Sequence, residues 1–403
     1  DIRDRNFIHD IFPGSAWENI SNAWRNIPQT FYAGFDPTAD SLHVGHLLVL
    51  NGLIHCQRAG HQTIALVGGA TGLIGDPSGR SAERSKLDAT SIKSNSQEIS
   101  EQIRKIFKNH SQYIYGNEHQ RLQLRDVKIV NNVEWYQTMP LIEFVSNVGR
   151  HLRMGSMLSR SSVHARLRSE TGMNFSEFAY QMFQAYDWLH LFKVYDCRFQ
   201  IGGSDQMGNI MSGHELISKV KKKNVFGLTL PLVINEEGDK FGKSAGKAVW
   251  LDERKTSILS FYQFFIRVPD NEVETFLKLF TFLPINEVRT IMKEQRVSPQ
   301  LRLAQKTLAK YCTTLVHGES GFKQAEAVTN ALYEGSLEFL GNLDAATIQD
   351  TLSGCTICQM PLDSGTTILD LVMKAKCFMT ENDAVRIISA GGLYINQKRM
   401  QNV

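Results

Sequence analysis

The sequence is most informative first through what it has little of. No apolar run in its 403 residues approaches the length needed to span a bilayer, so the expectation is a soluble protein with no membrane partner. Six cysteines in so long a chain do not make a disulfide framework. Cys355-x-x-Cys358 is a lone pair, with no second pair to complete a zinc site and no thioredoxin-like setting, so it reads as incidental. A net charge of +3 permits a nucleic-acid partner without arguing for one. There is no internal repeat, no low-complexity tract and no secretory signal, and the sequons at Asn109 and Asn174 are therefore set aside. The chain begins at Asp1 rather than Met, and a leader removed or omitted is the expectation.

What remains is an ordinary globular composition, 42% apolar and 21% charged, in a chain long enough for about two or three domains. The organising stretch runs from Tyr32 to His46. Thr30–Phe35 reads as a short buried strand, and Leu47–Arg58 as a largely apolar helix that stops at Gly60. Between them Asp36, Pro37, Thr38, Asp40 and Ser41 are turn and cap formers. His43 and His46 fall at the helix entrance, with Gly45 between them to let a ligand approach the backbone. A helix N-terminus after a parallel strand favours phosphate, and two imidazoles there can donate hydrogen bonds as phosphate charge builds. Taken alone, the pair reads first as a structural or chance pairing, while a metal site lacks a third ligand at useful spacing.

Further along, Thr63–Val67 reads as a second buried strand leading into the glycine-rich loop Gly69–Gly79, with Arg80 and Arg84 beyond it. Residues 1–29 read as a helical approach, 91–110 as a polar helix, Val127–Val130 as a third strand, and 141–194 as helical. Arg198–Ile201 and Leu228–Ile234 supply the last strands of this half. Strands alternating with helices imply an α/β parallel sheet. From about Lys255 to Asn342 the pattern is helical, and Thr366–Val403 reads helix, turn, helix and a short strand at Gly391–Asn396.

On the helix around Ala179–Phe192, Tyr180, Gln184 and Asp187 stand at i, i+4 and i+7 and share one face amid apolar bulk. Such a stripe serves either an internal hydrogen-bond network or a polar pocket for a small ligand. Gly202-Gly-Ser-Asp-Gln206 follows a strand, where α/β ligand sites form, and Asp205 suits ribose hydroxyls. Lys240-Phe-Gly-Lys-Ser244 is not a P-loop, because position 237 is Glu where the Walker pattern needs glycine. Two lysines flanking a glycine suit a phosphate carrying growing charge, or simply an ordinary basic loop.

Gly34-Phe-Asp-Pro-Thr-Ala-Asp-Ser-Leu-His-Val-Gly-His46 and Lys240-Phe-Gly-Lys-Ser244 together resemble the two signatures of the class I aminoacyl-tRNA synthetases, in the form used by tyrosyl-tRNA synthetases. The resemblance covers about Phe31 to the end. It implies a Rossmann-like catalytic domain over 1–238, with a dimer-interface insertion near 130–195. An α-helical anticodon-binding domain with the signature loop would occupy 239–345. A linker and partial S4-like α+β RNA-binding tail would occupy 346–403, short of that module's final strands.

The implied activity is a tyrosine–tRNA ligase that forms tyrosyl-adenylate from L-tyrosine and ATP and passes the tyrosyl group to tRNA(Tyr). ATP would come with Mg2+, and no tightly bound cofactor is implied. By motif, Tyr32 and Asp187 would bind the substrate phenol, Asp76, Tyr180 and Gln184 its ammonium group, and Gln206 its carboxyl region. Gly34, Asp36, Gly45, Gly202 and Asp205 would form the ATP site, with His46 near the ribose. Thr38, His43, Lys240 and Lys243 would stabilise the pyrophosphate, with Arg80 and Arg84 as helpers. Two departures from relatives, Met207 for Trp and Ala33 for Cys, imply altered ribose packing. The resemblance further implies a homodimer joined through the region around 140–178, including Phe175. Phe12-Pro-Gly14 and the stretch Gly203–Gly213 look more like mitochondrial members, which places the protein in the mitochondrial matrix, with a bacterial cytoplasm as the alternative. Two rival readings are a small-molecule nucleotidylyltransferase, which would need neither the Tyr180–Asp187 stripe nor an RNA-binding tail, and a non-catalytic synthetase-derived RNA-binding or splicing protein. Tryptophanyl synthetases share the fold, but Tyr32 with Asp187 favours a phenol.

Overall fold

The computed structural model describes residues 2–14, 27–80, 82–83, 87–117, 123–231, 243–244, 247–333, 358, 360, 365–395 and 398–400. The apolar runs become one six-stranded sheet. β1 (Asp10–Phe12), β2 (Thr30–Phe35), β3 (Gln62–Val67), β4 (Lys128–Asn131), β5 (Phe199–Gly203) and β6 (Phe226–Leu230) take the order β1-β6-β5-β2-β3-β4. β2 to β6 are parallel. Phe31, Ala33, Ile64, Ala65 and Val67 are fully buried, which is why these strands read as unbroken apolar runs rather than alternating ones.

The expected helical approach over residues 1–29 is corrected where it is described. Residues Asp10–Phe12 are a strand, antiparallel to β6 with Ile11 opposite Leu228, while 15–26 lie outside the described residues. Three residues are too few to show a period; the open edge of β6 makes this strand.

From β2 the chain runs outward through the Val44–Arg58 helix to β3, and then to β4. It returns along the Phe175–Tyr195 helix to β5, on the other side of β2, and continues by the Met207–Lys221 helix to β6. The reversal between β2 and β5 opens a crevice at their carboxyl ends, where open α/β sheets hold ligands.

The Val44–Arg58 helix is apolar nearly all round because it is covered twice. One side lies on the sheet, and the Val273–Phe280 helix packs against it from the second half. A single apolar core runs from Phe31 and Leu53 through Phe276 and Phe280 to Leu308 and Leu315. Arg5 fastens the two halves: its buried guanidinium donates to the carbonyls of Lys278 (3.2 Å), Thr281 (3.0 Å) and Leu283. The first two belong to the last turn and the C-cap of the Val273–Phe280 helix, where a cation is favoured.

Beyond Lys255 the expected helices are present as Ile258–Ile266, Val273–Phe280, Ile285–Val297 and Leu303–Tyr333. The last is broken at Gly318, whose φ of 81° only glycine adopts freely. The tail is a small unit of its own. Helices Ile368–Lys374 and Glu381–Ser389 enclose Val372, Ala384 and Ile388, beside a hairpin of β9 (Leu393–Ile395) and β10 (Lys398–Met400). The latter strand adds to the single one expected. A further two-residue pair, β7 (Lys243–Ser244) and β8 (Lys247–Ala248), carries part of the second lysine-rich signature.

Candidate active site

A cavity of about 670 Å³ fills the crevice between β2 and β5. Tyr32, Gly34 and Asp36 reach it from β2 and the turn after it, and Thr38, His43, Gly45 and His46 from the entrance of the Val44–Arg58 helix. Tyr180, Gln184 and Asp187 line it as one helix face, as their spacing predicts. Asp76 and Arg80 enter from the glycine-rich loop, and Gly202, Asp205 and Gln206 from beyond β5. Lys240 and Arg84 lie outside the described residues. Of Lys243 only the backbone, in β7, is described.

Asp187 is buried among these residues. Asn132 Nδ2 donates to its Oδ2 at 3.0 Å, and the Trp135 indole donates to its Oδ1 at 3.0 Å. Burial pushes the carboxyl up to about 7, opposed by those hydrogen bonds and reinforced by the charge of Asp36. Burial also pushes the Tyr32 phenol well above its usual value, with the charge of Asp187 adding to it. The Tyr32 hydroxyl and Gln200 Oε1 are buried and have no hydrogen-bond partner among the described residues. Tyr32 and Gln200 are register partners on β2 and β5, and both side chains line the cavity. Buried polar atoms of this kind are normally satisfied, so they mark where a polar ligand group completes the site.

A second network centres on Asp36, which accepts from Tyr180 Oη (2.8 Å) and from Thr71 Oγ1 (2.7 Å). Thr71 accepts in turn from Asn132 at 2.9 Å, so both carboxylates share one hydrogen-bond chain. A third network holds Asp76. Its oxygens accept from Gln206 Nε2 (2.7 Å), Asn209 Nδ2 (3.3 Å) and the Ser78 backbone (3.0 Å).

The two imidazoles cap the Val44–Arg58 helix reciprocally. His43 Nδ1 accepts from Gly45 N at 3.1 Å, and His46 Nδ1 accepts from His43 N at 3.2 Å. Each Nδ1 is thus an acceptor, which puts the ring proton on Nε2 and makes each neutral ring a donor there. The rings stack with centroids 3.9 Å apart. Gly45 lines the cavity as expected and has a second use: a Cβ on it would lie 2.9 Å from the His43 ring, so glycine seats that imidazole. No acidic side chain occupies the first turn of this helix, so its positive end is available to an anion.

Asn132, Trp135, Thr71, Gln200 and Asn209 are the polar residues that the sequence patterns did not single out. Asn132 sits just past the carboxyl end of β4 and Thr71 within the glycine-rich loop, positions where α/β sites collect polar groups. Trp135 and Gln200 carry no such signal.

A family model described as tRNA synthetases class I (W and Y) matches residues 25–334. A Drosophila melanogaster protein named mitochondrial tyrosine–tRNA ligase is 60% identical over 404 residues, covering 100% of this chain and 87% of its own length. The Homo sapiens protein of the same name is 44% identical, over 99% of this chain and 84% of its own. Among solved structures, a C-terminally truncated Aspergillus nidulans mitochondrial tyrosyl-tRNA synthetase superposes with a TM-score of 0.75 at 34% identity, covering 82% of this chain and 93% of that one. With both signatures in order and the first of them at the cavity, the chain belongs to the class I tRNA synthetases, among the tyrosyl-tRNA synthetases of mitochondrial type.

Proposed function

We propose that the chain is a tyrosine–tRNA ligase and that the cavity between β2 and β5 is where it activates tyrosine. The observation that carries the site assignment is the Tyr32 hydroxyl, buried with no hydrogen-bond partner among the described residues, in a cavity that the held Asp187 also lines. A phenol hydroxyl placed between them accepts from Tyr32 and donates to Asp187. A benzyl side chain leaves the Tyr32 hydroxyl unpaired and offers Asp187 no further donor, at a desolvation cost.

In the first step the tyrosine carboxylate attacks the α-phosphate of ATP in line, the bond to the bridging oxygen breaks, and pyrophosphate leaves tyrosyl-adenylate behind. No side chain is needed as nucleophile, so the chain contributes position and charge. Asp76, Tyr180 and Gln184 hold the substrate ammonium group, and Gln206, fixed by its bond to Asp76, meets the carboxyl region. Gly34, Asp36, Gly45, Gly202 and Asp205 form the nucleotide site. The Nε2–H donors of His43 and His46, at the positive end of their helix, face the phosphates together with Thr38, Lys240 and Lys243, and Arg80 and Arg84 assist. Mg2+ travels with ATP as part of the substrate. In the second step the terminal ribose hydroxyl of tRNA(Tyr) attacks the adenylate carbonyl and releases AMP.

The division into a catalytic unit (1–238), a helical anticodon-binding unit (239–345) and an S4-like tail (346–403) belongs to the same reading. So does a homodimer: the segment 141–175 exposes Leu141 (73%), Ile142 (78%) and Phe175 (80%), an apolar surface suited to a second copy. The names of the relatives support a mitochondrial site of action. Among the described residues no helix is long and apolar enough to cross a membrane. Tyrosine-dependent exchange of pyrophosphate into ATP tests the assignment.

A further inference from the structure

Trp250 belongs to neither signature, yet it stands against the first. The segment Val249–Leu251 follows β8 directly and pairs with Leu42–Val44. Val44 N donates to Val249 O at 3.0 Å, Leu251 N donates to Leu42 O at 2.8 Å, and His43 forms an antiparallel bridge with Trp250. Side chains alternate along such a segment. Val249 and Leu251, each 4% exposed, enter the apolar core. Trp250 therefore takes the opposite face, with its ring edge-on to the His43 imidazole at 6.2 Å between centroids and 64° between planes. Trp250 stands outside that core cluster.

The segment is itself held: the Trp250 backbone N–H donates to Thr256 Oγ1 at 3.0 Å. Lys255 Nζ lies 5.3 Å from the ring centroid and pairs with Asp40 Oδ1 at 2.7 Å, so the cation ties the indole to the turn that precedes His43.

We propose that Trp250 is a positioning residue: it walls the His43 ring so that the stacked His43–His46 pair keeps its Nε2–H donors on the transferring phosphates. This rests on the reading of the cavity as a tyrosine-activating site. Trp250 would also link the two signatures physically, since the chain passes from Lys243 in β7 through β8 to the residue that orients His43. An imidazole that is free to swing loses the alignment that in-line transfer requires, while tyrosine, bound at Tyr32 and Asp187, would not register the change.

The test is a double-mutant cycle in tyrosine-dependent ATP–pyrophosphate exchange. Trp250→Leu should lower kcat roughly tenfold or more, with KM for tyrosine moving less than about twofold. Trp250→Phe, which keeps an aromatic edge, should recover most of the rate. In a His43→Ala background, Trp250→Leu should add little further loss. Losses that multiply in the double mutant overturn the proposal, as does full activity of Trp250→Leu or a rise in tyrosine KM as large as the fall in kcat. Trp250→Met serves as the ring-free variant if Trp250→Leu does not fold. Wild-type protein without any exchange activity would instead overturn the tyrosine-activation reading, and this inference with it.

Discussion

The Trp135 indole donates to Asp187 Oδ1 while Asn132 donates to Oδ2, each at 3.0 Å, so both oxygens of one buried carboxyl are fixed from the carboxyl end of β4. That acceptor is thus set by residues that need not touch the ligand. Tyr32, whose hydroxyl has no hydrogen-bond partner among the described residues, lines the same cavity.

Replacing Trp135 by Phe keeps the ring and removes one hydrogen bond to that carboxyl. Bonds to charged groups contribute about 1.5–3 kcal/mol. The expected result is a roughly ten- to hundredfold fall in kcat/KM for tyrosine, with little change for phenylalanine, so that discrimination narrows. Exchange kinetics with both amino acids would show it, and an equal loss for both would not fit.

Asp187 also predicts two opposite pH dependences. Its folded pKa, about 7, lies above the ordinary 3.8, so the native state holds the proton more tightly than the unfolded chain. The stability this confers is fully present below pH 4 and is lost as pH rises through about 7, amounting to roughly 4 kcal/mol at most. The thermal midpoint of Asp187→Asn should therefore gain on wild type between pH 4 and 7 and run level with it above. Tyrosine kcat/KM should rise over the same range as the carboxylate forms, with an apparent pKa near 7 in wild type. A flat pH profile for both quantities would contradict the assignment.

Gly68 lies under the Asp36–Thr71 hydrogen bond. A Cβ there would collide with Asp36 Oδ1 and Thr71 Oγ1, which are bonded to each other at 2.7 Å. Gly68→Ala must push that pair aside, and with it the acceptor of the Tyr180 hydroxyl. Overpacking of this kind costs about 1–3 kcal/mol, and misplacement of the site should lower the exchange rate on the order of hundredfold. Calorimetry and exchange on the same preparation separate the two effects.

Phe175, 80% exposed at the start of its helix, lies on the surface assigned to the second subunit. Phe175→Glu should shift the protein toward monomers in sedimentation velocity without lowering the thermal midpoint of the protomer, because a charge on that face opposes only association. An unchanged sedimentation coefficient would place the interface elsewhere.

Much of this site is legible in the sequence because its elements are local. Gly34–His46 carries its own strand, turn and helix entrance, and the i, i+4, i+7 spacing of Tyr180, Gln184 and Asp187 places them on one face without knowledge of the rest. The buried strands show as apolar runs because both of their faces are covered. What escaped was non-local. Asn132 and Trp135 meet Asp187 from 55 and 52 residues away, and Gln200 faces the cavity because β5 happens to pair with β2 in that register. β1 exists because β6 offers an edge, and Trp250 reaches His43 through a backbone pairing that no periodicity encodes.

If a phenol is read between Tyr32 and Asp187, amino-acid-dependent ATP–pyrophosphate exchange will show it. Wild type and Asp187→Ala would be compared with tyrosine, phenylalanine and tryptophan. Exchange is expected with tyrosine alone, sharply reduced in Asp187→Ala. Exchange supported equally by phenylalanine or tryptophan, or left intact in the mutant, would contradict it.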